Sequence, residues 1–252
     1  MEIKKTNTNL IRGIRAFFHS SGKKRAVLGL SGGVDSSLVC SLLAQALGPK
    51  NVTGLILPLG GTSTAASVKD AQLVATNLGV KTYKKDLSAM VKAFSATGWN
   101  QSKTANSNTI ARIRAILLYN YANSSDCLVA GTGNRTELTL GYFTKYGDGA
   151  VDFLPIGGLW KKQVYELASY RTLPLQVLAK TPSAELWKGQ TDEKELGLPY
   201  SAIDDILGKL FDKGLNVAQI VKSGHSKANV GKILVRIREN AHKTTIPLII
   251  NP

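Results

Sequence analysis

Three serines, two glycines and one aspartate fall within seven consecutive positions, 31–37, directly after a short apolar run. Glycine lets a backbone bend and come close to a ligand, while hydroxyl and backbone N–H groups donate hydrogen bonds. A helix that begins here points the positive end of its dipole at the same place. The segment therefore predicts a phosphate-binding turn between a strand and a helix, formed by Ser31, Gly33, Ser36 and Ser37.

Asp35 is a carboxylate at the position where phosphates are expected to bind. A bare carboxylate would repel them, so a Mg²⁺ ion between the two is the natural arrangement. Only Glu2, Asp35, Asp70 and Asp86 are acidic in the first 100 residues, and the whole chain has 32 Lys+Arg against 17 Asp+Glu. The alternative is a helix N-cap turn in which Asp35 only complements the helix dipole.

Glycine-rich loops with isolated charged residues follow later in the chain, over 131–137, 141–149 and 152–156. The isolated carboxylates in this region are Glu137, Asp148 and Asp152, and isolated cations are Lys145 and, shortly after these loops, Lys161. This mixture suits a substrate that is both anionic and reactive, although a solvated loop with ordinary surface charges is the alternative. A further polar stretch, 180–197, predicts a mobile lid that excludes water from a hydrolysable intermediate.

The elements that must position these residues alternate between strand and helix patterns. Strands are predicted over 25–30, 52–57, 80–83 and 126–131, with the 52–57 strand buried. Helices are predicted over 3–18 and 67–78, and a third helix, capped by Asn108, runs to Tyr121. The pattern predicts a single α/β domain over 1–252, a doubly wound parallel sheet with helices on both faces and ligands at the carboxyl ends of its strands.

Composition limits the class of protein. A length of 252 residues with 43% hydrophobic content can bury a substantial core. Cys40 and Cys127 lie in apolar segments, so we expect no disulfide and a reducing, cytoplasmic compartment. The N-terminus lacks the apolar stretch of a signal peptide, and no run approaches a membrane span. The three histidines, His19, His225 and His242, have no metal-ligand spacing.

Several motifs in this order resemble the ammonia-dependent NAD synthetases. They are the 31–37 turn, the 111–114 helix segment, Gly131–Asn134 with Glu137, the 144–149 loop and the 181–187 lid segment. The resemblance covers about residues 10–205. The first turn alone is shared with other ATP pyrophosphatases, so a GMP synthetase or a tRNA-modifying enzyme is the alternative. The resemblance implies an adenine nucleotide alpha hydrolase-like fold, with an ATP pyrophosphatase core over 20–160 and lid and C-terminal helices over 161–252.

The resemblance also implies a reaction and roles for residues. The nicotinate carboxylate of deamido-NAD attacks ATP, pyrophosphate leaves, and ammonia displaces AMP to form NAD. The implied ATP contacts are Gly29, Ser31, Gly33, Ser36, Ser37, Arg114, Thr132, Lys161 and Ser183. Asp35 and Glu137 are the implied Mg²⁺ ligands, and Asp148 and Lys161 are the implied catalytic residues. The implied substrate contacts are Tyr142, Lys145, Asp148 and Asp152, with Glu195 as a weaker one.

Arg112 and Arg114 are two positions apart on a predicted helix, so we expect at most one of them to face the site. The formal charge of +15 raises a nucleic-acid-binding protein as a rival class. No recognised nucleic-acid motif accompanies the charge, so we expect only non-specific affinity. A homodimer is expected from the resemblance and from the apolar faces of 10–18 and 110–121. We expect ammonium rather than glutamine as the nitrogen source, because a glutamine user needs an added amidase domain.

Overall fold

Four parallel strands form the central sheet of the computed structural model, which describes residues 2–96, 102–187, 189–245, 247 and 249–250. The strands are β1 (Arg25–Gly29), β2 (Val52–Ile56), β3 (Lys81–Lys84) and β4 (Cys127–Ala130). Their order across the sheet is β3-β2-β1-β4. Each strand lies within one residue of its predicted bounds at either end. The apolar runs behind β1, β2 and β4 are largely buried, whereas β3, at the edge of the sheet, is mostly exposed.

Helices connect and follow the strands. They are α1 (Ile3–Ser21), α2 (Val34–Leu47), α3 (Ala65–Leu78), α4 (Ser88–Ser95), α5 (Lys103–Ser125), α6 (Arg135–Leu140), α7 (Lys161–Tyr170), α8 (Leu175–Leu178), α9 (Asp192–Leu196), α10 (Tyr200–Phe211), α11 (Val217–Lys222) and α12 (Lys227–Asn240). Short 3₁₀ turns lie at Pro49–Asn51 and Ala241–Lys243. Within the described part of the chain, no helix combines the length and the apolar character needed to cross a membrane.

Both faces of the sheet are covered, because alternate residues of a strand point to opposite sides. Leu28 of β1 belongs to a core cluster with side chains from α1, α2, α3 and α7. Its neighbour Val27 belongs to a second cluster with Ile110 and Ile113 of α5. The predicted doubly wound α/β sheet is therefore confirmed.

A third core cluster joins the C-terminal helices. It includes Leu140 of α6, Trp160, and apolar residues of α10, α11 and α12. Helix α7 packs instead with the sheet, through Val164 and Leu167 in the first cluster. The predicted division of the chain near residue 160 stays a prediction.

The predicted start of the third helix is wrong. Helix α5 begins at Lys103, after Ser102, whose side chain accepts a hydrogen bond from the backbone of Ala105. Asn108 therefore lies inside the helix and does not cap it. Its Oδ1 accepts a hydrogen bond from Thr144 Oγ1 at 2.7 Å instead, which ties α5 to the loop after α6.

Candidate active site

A cavity of about 660 Å³ opens at the carboxyl ends of β1 and β4. Strand β1 pairs with β2 on one side and with β4 on the other, so the chain leaves neighbouring strands in opposite directions. Such a switch point is where open α/β sheets bind ligands. The lining combines the turn after β1, the loop after β4, α5 and the predicted lid. Within that lid, Lys188 lies outside the described residues.

The turn after β1 is held by its own serines. Ser31 Oγ lies 3.0 Å from Ser36 Oγ and accepts a hydrogen bond from the Gly33 N–H at 3.2 Å. Gly32 has φ +79°, and a Cβ there would lie 2.2 Å from the backbone oxygen of Ser67 on α3. Only glycine fits this position, since both the conformation and the close approach exclude a side chain. The turn therefore presents the start of α2 to the cavity, as predicted.

Asp35 does not cap α2, because the N-cap residue is Gly33. Its carboxylate faces Lys161, the first residue of α7, and Lys161 Nζ lies 2.5 Å from Asp35 Oδ2. The same Nζ lies 3.6 Å from Glu137 Oε1. Lys161 is only 2% exposed, so its charge is balanced mainly by the nearer carboxylate, Asp35, rather than by water. Asp35 thus does more than complement the helix dipole.

The charges in this cluster shift one another's proton affinities. Burial lowers the pKa of the Lys161 ammonium, but the charges of Asp35 and Glu137 outweigh it and the pKa is raised overall. Burial raises the pKa of Glu137 to about 8, against the opposing charge of Lys161. With its neighbours as described, Glu137 therefore carries a proton over much of the neutral range.

Asn134 links the two carboxylates, a role that the sequence analysis missed. Its Nδ2 donates to Asp35 Oδ1 at 2.9 Å, and its Oδ1 accepts from the Glu137 N–H at 3.0 Å. The Asn134 N–H donates to Glu137 Oε2 at 3.1 Å, which completes a capping box at the start of α6. An asparagine followed three residues later by a glutamate is a readable sign of such a cap.

The Asp35 and Glu137 pair fits a magnesium ion shared with phosphates. Mg²⁺ prefers hard oxygen ligands and is usually held by one or two carboxylates together with substrate phosphates. The described residues contain no group of three or more His, Cys, Asp and Glu that could hold a metal by themselves. The donor set therefore fits a cation that is completed by a bound nucleotide.

Arg114 and Asp148 line another part of the cavity. Arg114 Nε donates to the backbone oxygen of Leu57 at 3.4 Å, and burial lowers the pKa of its guanidinium. Arg112 is exposed and donates to the backbone oxygen of Lys145, so only one of these two arginines faces the cavity, as expected. Asp148 accepts from the Thr144 N–H at 2.8 Å, and burial raises the pKa of its carboxyl.

The cavity brings most of the predicted site residues together. Those in its lining are Gly29, Ser31, Gly33, Asp35, Ser36, Arg114, Thr132, Glu137, Tyr142, Asp148, Lys161, Ser183 and Glu195. Residues that are far apart in the chain, from Gly29 to Glu195, thus meet in one place.

Three predicted residues lie outside this lining. Ser37 is buried, and its Oγ has no hydrogen-bond partner among the described residues. Lys145 Nζ donates to the backbone oxygen of His242 at 2.6 Å. Asp152 accepts from the Val129 N–H of β4 at 2.7 Å, which anchors the loop after β4 to the sheet edge.

Asp192 is another residue that the sequence analysis did not single out. It is buried in the lid region and accepts hydrogen bonds from Tyr142 at 3.3 Å and Tyr200 at 3.1 Å. Burial raises the pKa of its carboxyl. Tyr142 also donates to Glu195 at 2.6 Å, so the lid is fastened to the cavity wall through this tyrosine. No local sequence pattern marks Tyr200, because its contact with Asp192 forms only in the tertiary structure.

The structure resembles solved structures over the whole chain. The NMN synthetase of Francisella tularensis superposes with a TM-score of 0.89 at 34% identity, covering 100% of this chain and 99% of that one. The NH3-dependent NAD synthetase of Campylobacter jejuni superposes with a TM-score of 0.85 at 31% identity, covering 100% of both chains.

Sequence comparison agrees with the structural one. The NH3-dependent NAD⁺ synthetase of Archaeoglobus fulgidus is 47% identical over 214 residues, covering 85% of this chain and 86% of that protein. The corresponding enzyme of Hyperthermus butylicus is 45% identical over 236 residues, covering 93% of this chain and 86% of that protein. The family model described as NAD synthase matches residues 6–247. The chain therefore belongs to the NAD synthase family.

Proposed function

We propose that the protein is an ammonia-dependent NAD synthetase. It joins ammonia to the nicotinate carboxylate of deamido-NAD and converts ATP to AMP and pyrophosphate. The observation that carries this proposal is the buried Asp35, Lys161 and Glu137 cluster beside the serine turn, inside one cavity of an NAD synthase family member. A cation flanked by carboxylates next to a helix N-terminus suits the transfer of a charged phosphoryl group.

The first step is adenylation of the substrate. A carboxylate oxygen of deamido-NAD forms a bond to the α-phosphorus of ATP, and the bond from that phosphorus to the departing pyrophosphate breaks. The hydroxyls of Ser31 and Ser36 and the N–H groups at the start of α2 bind the leaving pyrophosphate. Lys161 places a buried positive charge beside the attacked phosphate, where negative charge develops. Thr132 and Ser183, which both line the cavity, bind the nucleotide.

Asp35 and Glu137 are proposed to hold Mg²⁺ against the phosphates, with Asn134 keeping the two carboxylates in place. When bound, the ion neutralises phosphate charge and so favours departure of pyrophosphate. Without it, the raised pKa of Glu137 leaves that side chain protonated near neutral pH. A bound cation favours the ionised form of Glu137, so metal binding and proton release are coupled at this residue.

The second step is amide formation. Ammonia attacks the carbonyl carbon of the acyl-adenylate, the bond from that carbon to the phosphate oxygen breaks, and AMP leaves. Asp148 accepts the proton that the attacking nitrogen loses, since a carboxyl with a raised pKa is a better base near neutral pH. Arg114 and Tyr142 bind the substrates around this point. Roles for Lys145, Asp152 and Ser37 stay predictions, because these residues lie outside the cavity lining.

A second candidate product is NMN. The Francisella tularensis relative with a TM-score of 0.89 carries the name NMN synthetase. The same chemistry on the acid form of the mononucleotide would yield NMN, because the reacting carboxylate is the same. The curated relatives named as NAD⁺ synthetases favour deamido-NAD as the main substrate.

The test is a product assay with ATP, Mg²⁺ and ammonium. Deamido-NAD and nicotinate mononucleotide are supplied separately, and AMP, pyrophosphate and the amidated product are measured. We expect one AMP for each NAD and a higher kcat/KM with deamido-NAD. A higher kcat/KM with the mononucleotide would favour the second candidate. Absence of amide with both substrates would reject the proposed chemistry.

The chain is further proposed to form a homodimer and to work in the cytoplasm. Buried and unpaired Cys40 and Cys127 are consistent with a reducing compartment. The apolar residues of α1 are used within the chain, because Ile11, Ile14 and Phe18 pack in the first core cluster. On α5, however, Ile116 is 66% exposed, which leaves one bulky apolar side chain available for contact with a partner copy.

A further inference from the structure

Glu185, in the predicted lid, is hydrogen-bonded to the start of helix α3. Its Oε2 accepts a hydrogen bond from the backbone N–H of Thr64 at 3.3 Å. Its Oε1 accepts from Thr64 Oγ1 at 3.3 Å and from the Ser67 hydroxyl. Thr64 is the N-cap of α3, so the carboxylate also lies at the positive end of that helix.

A second bond ties the other end of this lid segment to the same helix. Lys180 Nζ donates to Ser67 Oγ at 2.6 Å and lies 3.5 Å from Asp70 Oδ2. Ser183, a proposed ATP contact, lies between the two ties, and its Oγ accepts a hydrogen bond from the Glu185 N–H at 3.1 Å. The segment 180–185 is thus attached to α3 on both sides of the residue that faces the nucleotide.

The backbone of Glu185 is in the left-handed region, with φ +48°. Glycine adopts this conformation freely, whereas a glutamate is strained there. Such strain persists where the surroundings determine the conformation, and it concentrates at ligand clamps and switch regions. Here the surroundings are the donors on α3, which hold the side chain in place.

We propose that Glu185 is a positioning residue that latches the lid to the first turn of α3 and so keeps water away from the acyl-adenylate. This inference rests on the proposed function, because it concerns that intermediate. When the latch is open, water attacks the carbonyl carbon of the mixed anhydride and the bond to the phosphate oxygen breaks. AMP leaves, deamido-NAD is regenerated, and ATP is consumed without NAD formation.

The test compares Glu185→Gly with Thr172→Gly. Glycine at position 185 removes the latch and suits the left-handed backbone. Thr172 is an exposed residue with φ +51°, so glycine at this position relieves the same left-handed backbone strain at a site outside the lid. At limiting ammonium, we expect the ratio of AMP to NAD to rise several-fold in Glu185→Gly and to keep the parent value in Thr172→Gly. An unchanged ratio in a folded Glu185→Gly protein would overturn the proposal.

A second variant acts from the other side of the latch. Ser67→Ala removes one donor to Glu185 and one acceptor for Lys180, and we expect the same rise in the ratio. The ratio of AMP to NAD in the double variant, with both Glu185→Gly and Ser67→Ala, should not exceed that of the stronger single variant, because both changes act on one latch. An additive effect would contradict a shared latch. If Glu185→Gly fails to fold, Ser67→Ala carries the test.

Hydrogen exchange separates failure of the latch from failure of the proposed function. In the full chain with ATP and Mg²⁺, backbone amides over 181–187 should exchange faster in Glu185→Gly than in the parent and in Thr172→Gly. Equal exchange overturns the latch whatever the reaction is. If Glu185→Gly exchanges faster but the parent protein makes no NAD, the latch is supported and the proposed function is rejected. Faster exchange with an unchanged AMP to NAD ratio would reject water exclusion.

Discussion

Lys161 and Asp35 lie 126 positions apart in the chain, yet their charged groups are 2.5 Å apart in the structure. Lys161 begins α7 and Asp35 lies in the first turn of α2, so the pair joins the helix after the first strand to a helix far along the chain. A lysine at a helix N-terminus opposes the helix dipole. The arrangement therefore depends on the two carboxylates, Asp35 and Glu137, which face it.

Asp35→Asn tests the proposed metal ligand. We expect pyrophosphate release to fall by roughly 10²–10³-fold, as for loss of one contact to developing charge. The melting temperature should also fall, because the buried Lys161 ammonium then loses the carboxylate 2.5 Å away that neutralises it. Pyrophosphate release is measured across Mg²⁺ concentrations beside a thermal melt.

The matched control is Asp126→Asn, which removes an exposed carboxylate that pairs with Lys23 at the surface. Its position has φ +51°, which asparagine tolerates. We expect parent-like turnover in this control. A lower melting temperature with unchanged turnover and Mg²⁺ dependence in Asp35→Asn would return Asp35 to a structural role.

Glu137→Gln should change the pH dependence of stability in the metal-free protein. The folded state keeps the Glu137 proton up to about pH 8, whereas the ordinary pKa is 4.5. The unfolded state binds fewer protons between these values, so the contribution of Glu137 to the free energy of unfolding falls as pH rises through this range. Glutamine cannot lose this proton and still completes the capping box.

We therefore expect the melting temperature of Glu137→Gln to fall less steeply from pH 5 to pH 8 than that of the parent, by roughly ten degrees over the range. Thermal melts in EDTA without nucleotide, at several pH values, measure this difference in melting temperature. Glu239→Gln, at an exposed position, is the control and should follow the parent. Parallel curves for Glu137→Gln and the parent would contradict the raised pKa.

Ammonium should support NAD formation and glutamine should not. Hydrolysis of glutamine needs a reactive nucleophile, and both cysteines of this chain are buried. Burial raises the pKa of the Cys40 thiol to about 12, so its thiolate is scarce at neutral pH. NAD is measured with either nitrogen source in buffer freed of ammonia. Equal turnover with glutamine and no partner protein would refute this expectation.

Ile116→Glu should weaken the proposed homodimer. A charge on the exposed apolar face of α5 would have to be buried at the interface, which is unfavourable without a partner charge. Leu175→Glu is the control, because Leu175 is 81% exposed on a different helix, α8. Sedimentation velocity at assay concentration gives the mass of each protein. A parent that is a fully active monomer would reject the dimer.

Binding to DNA or RNA should be weak and independent of sequence. The formal charge of +15 attracts phosphate backbones through counterion release, which falls steeply with salt. We expect affinity for unrelated duplexes to be similar and to be lost by ~0.2 M salt. Fluorescence anisotropy with several sequences measures it. A complex selective for one sequence that persists at that salt would revive the nucleic-acid-binding class.

Local features were predictable because their causes lie within a few consecutive residues. The bounds of β1, β2 and β4 follow from apolar runs, and the turn around Gly33 follows from glycines and hydroxyls that are adjacent in sequence. The opposite orientation of Arg112 and Arg114 follows from helix periodicity alone. The predicted start of the third helix was wrong for the same local reason. Asn108 and Ser102 both resemble caps, and only the start of α5 distinguishes them.

Pairings between distant segments were decided by the tertiary structure. The sequence shows Lys161 and Asp35 as isolated charges, but their contact requires α7 to pack against α2. Asp152 and Asp148 are four residues apart in one loop region. One is bonded to the edge of the sheet and the other lines the cavity. Composition cannot distinguish them, because the difference comes from which neighbour each side chain meets.

The sequence by itself determined the serine and glycine turn after β1, the α/β sheet and the residue types that the proposed chemistry needs. Tertiary packing decided which of these residues share a cavity, how Lys161 is neutralised and where Glu185 is held. The physical reason is the separation along the chain over which each interaction acts. Turn and strand preferences act over a few bonds, whereas burial, charge pairing and the latch on α3 act between segments that only folding brings together.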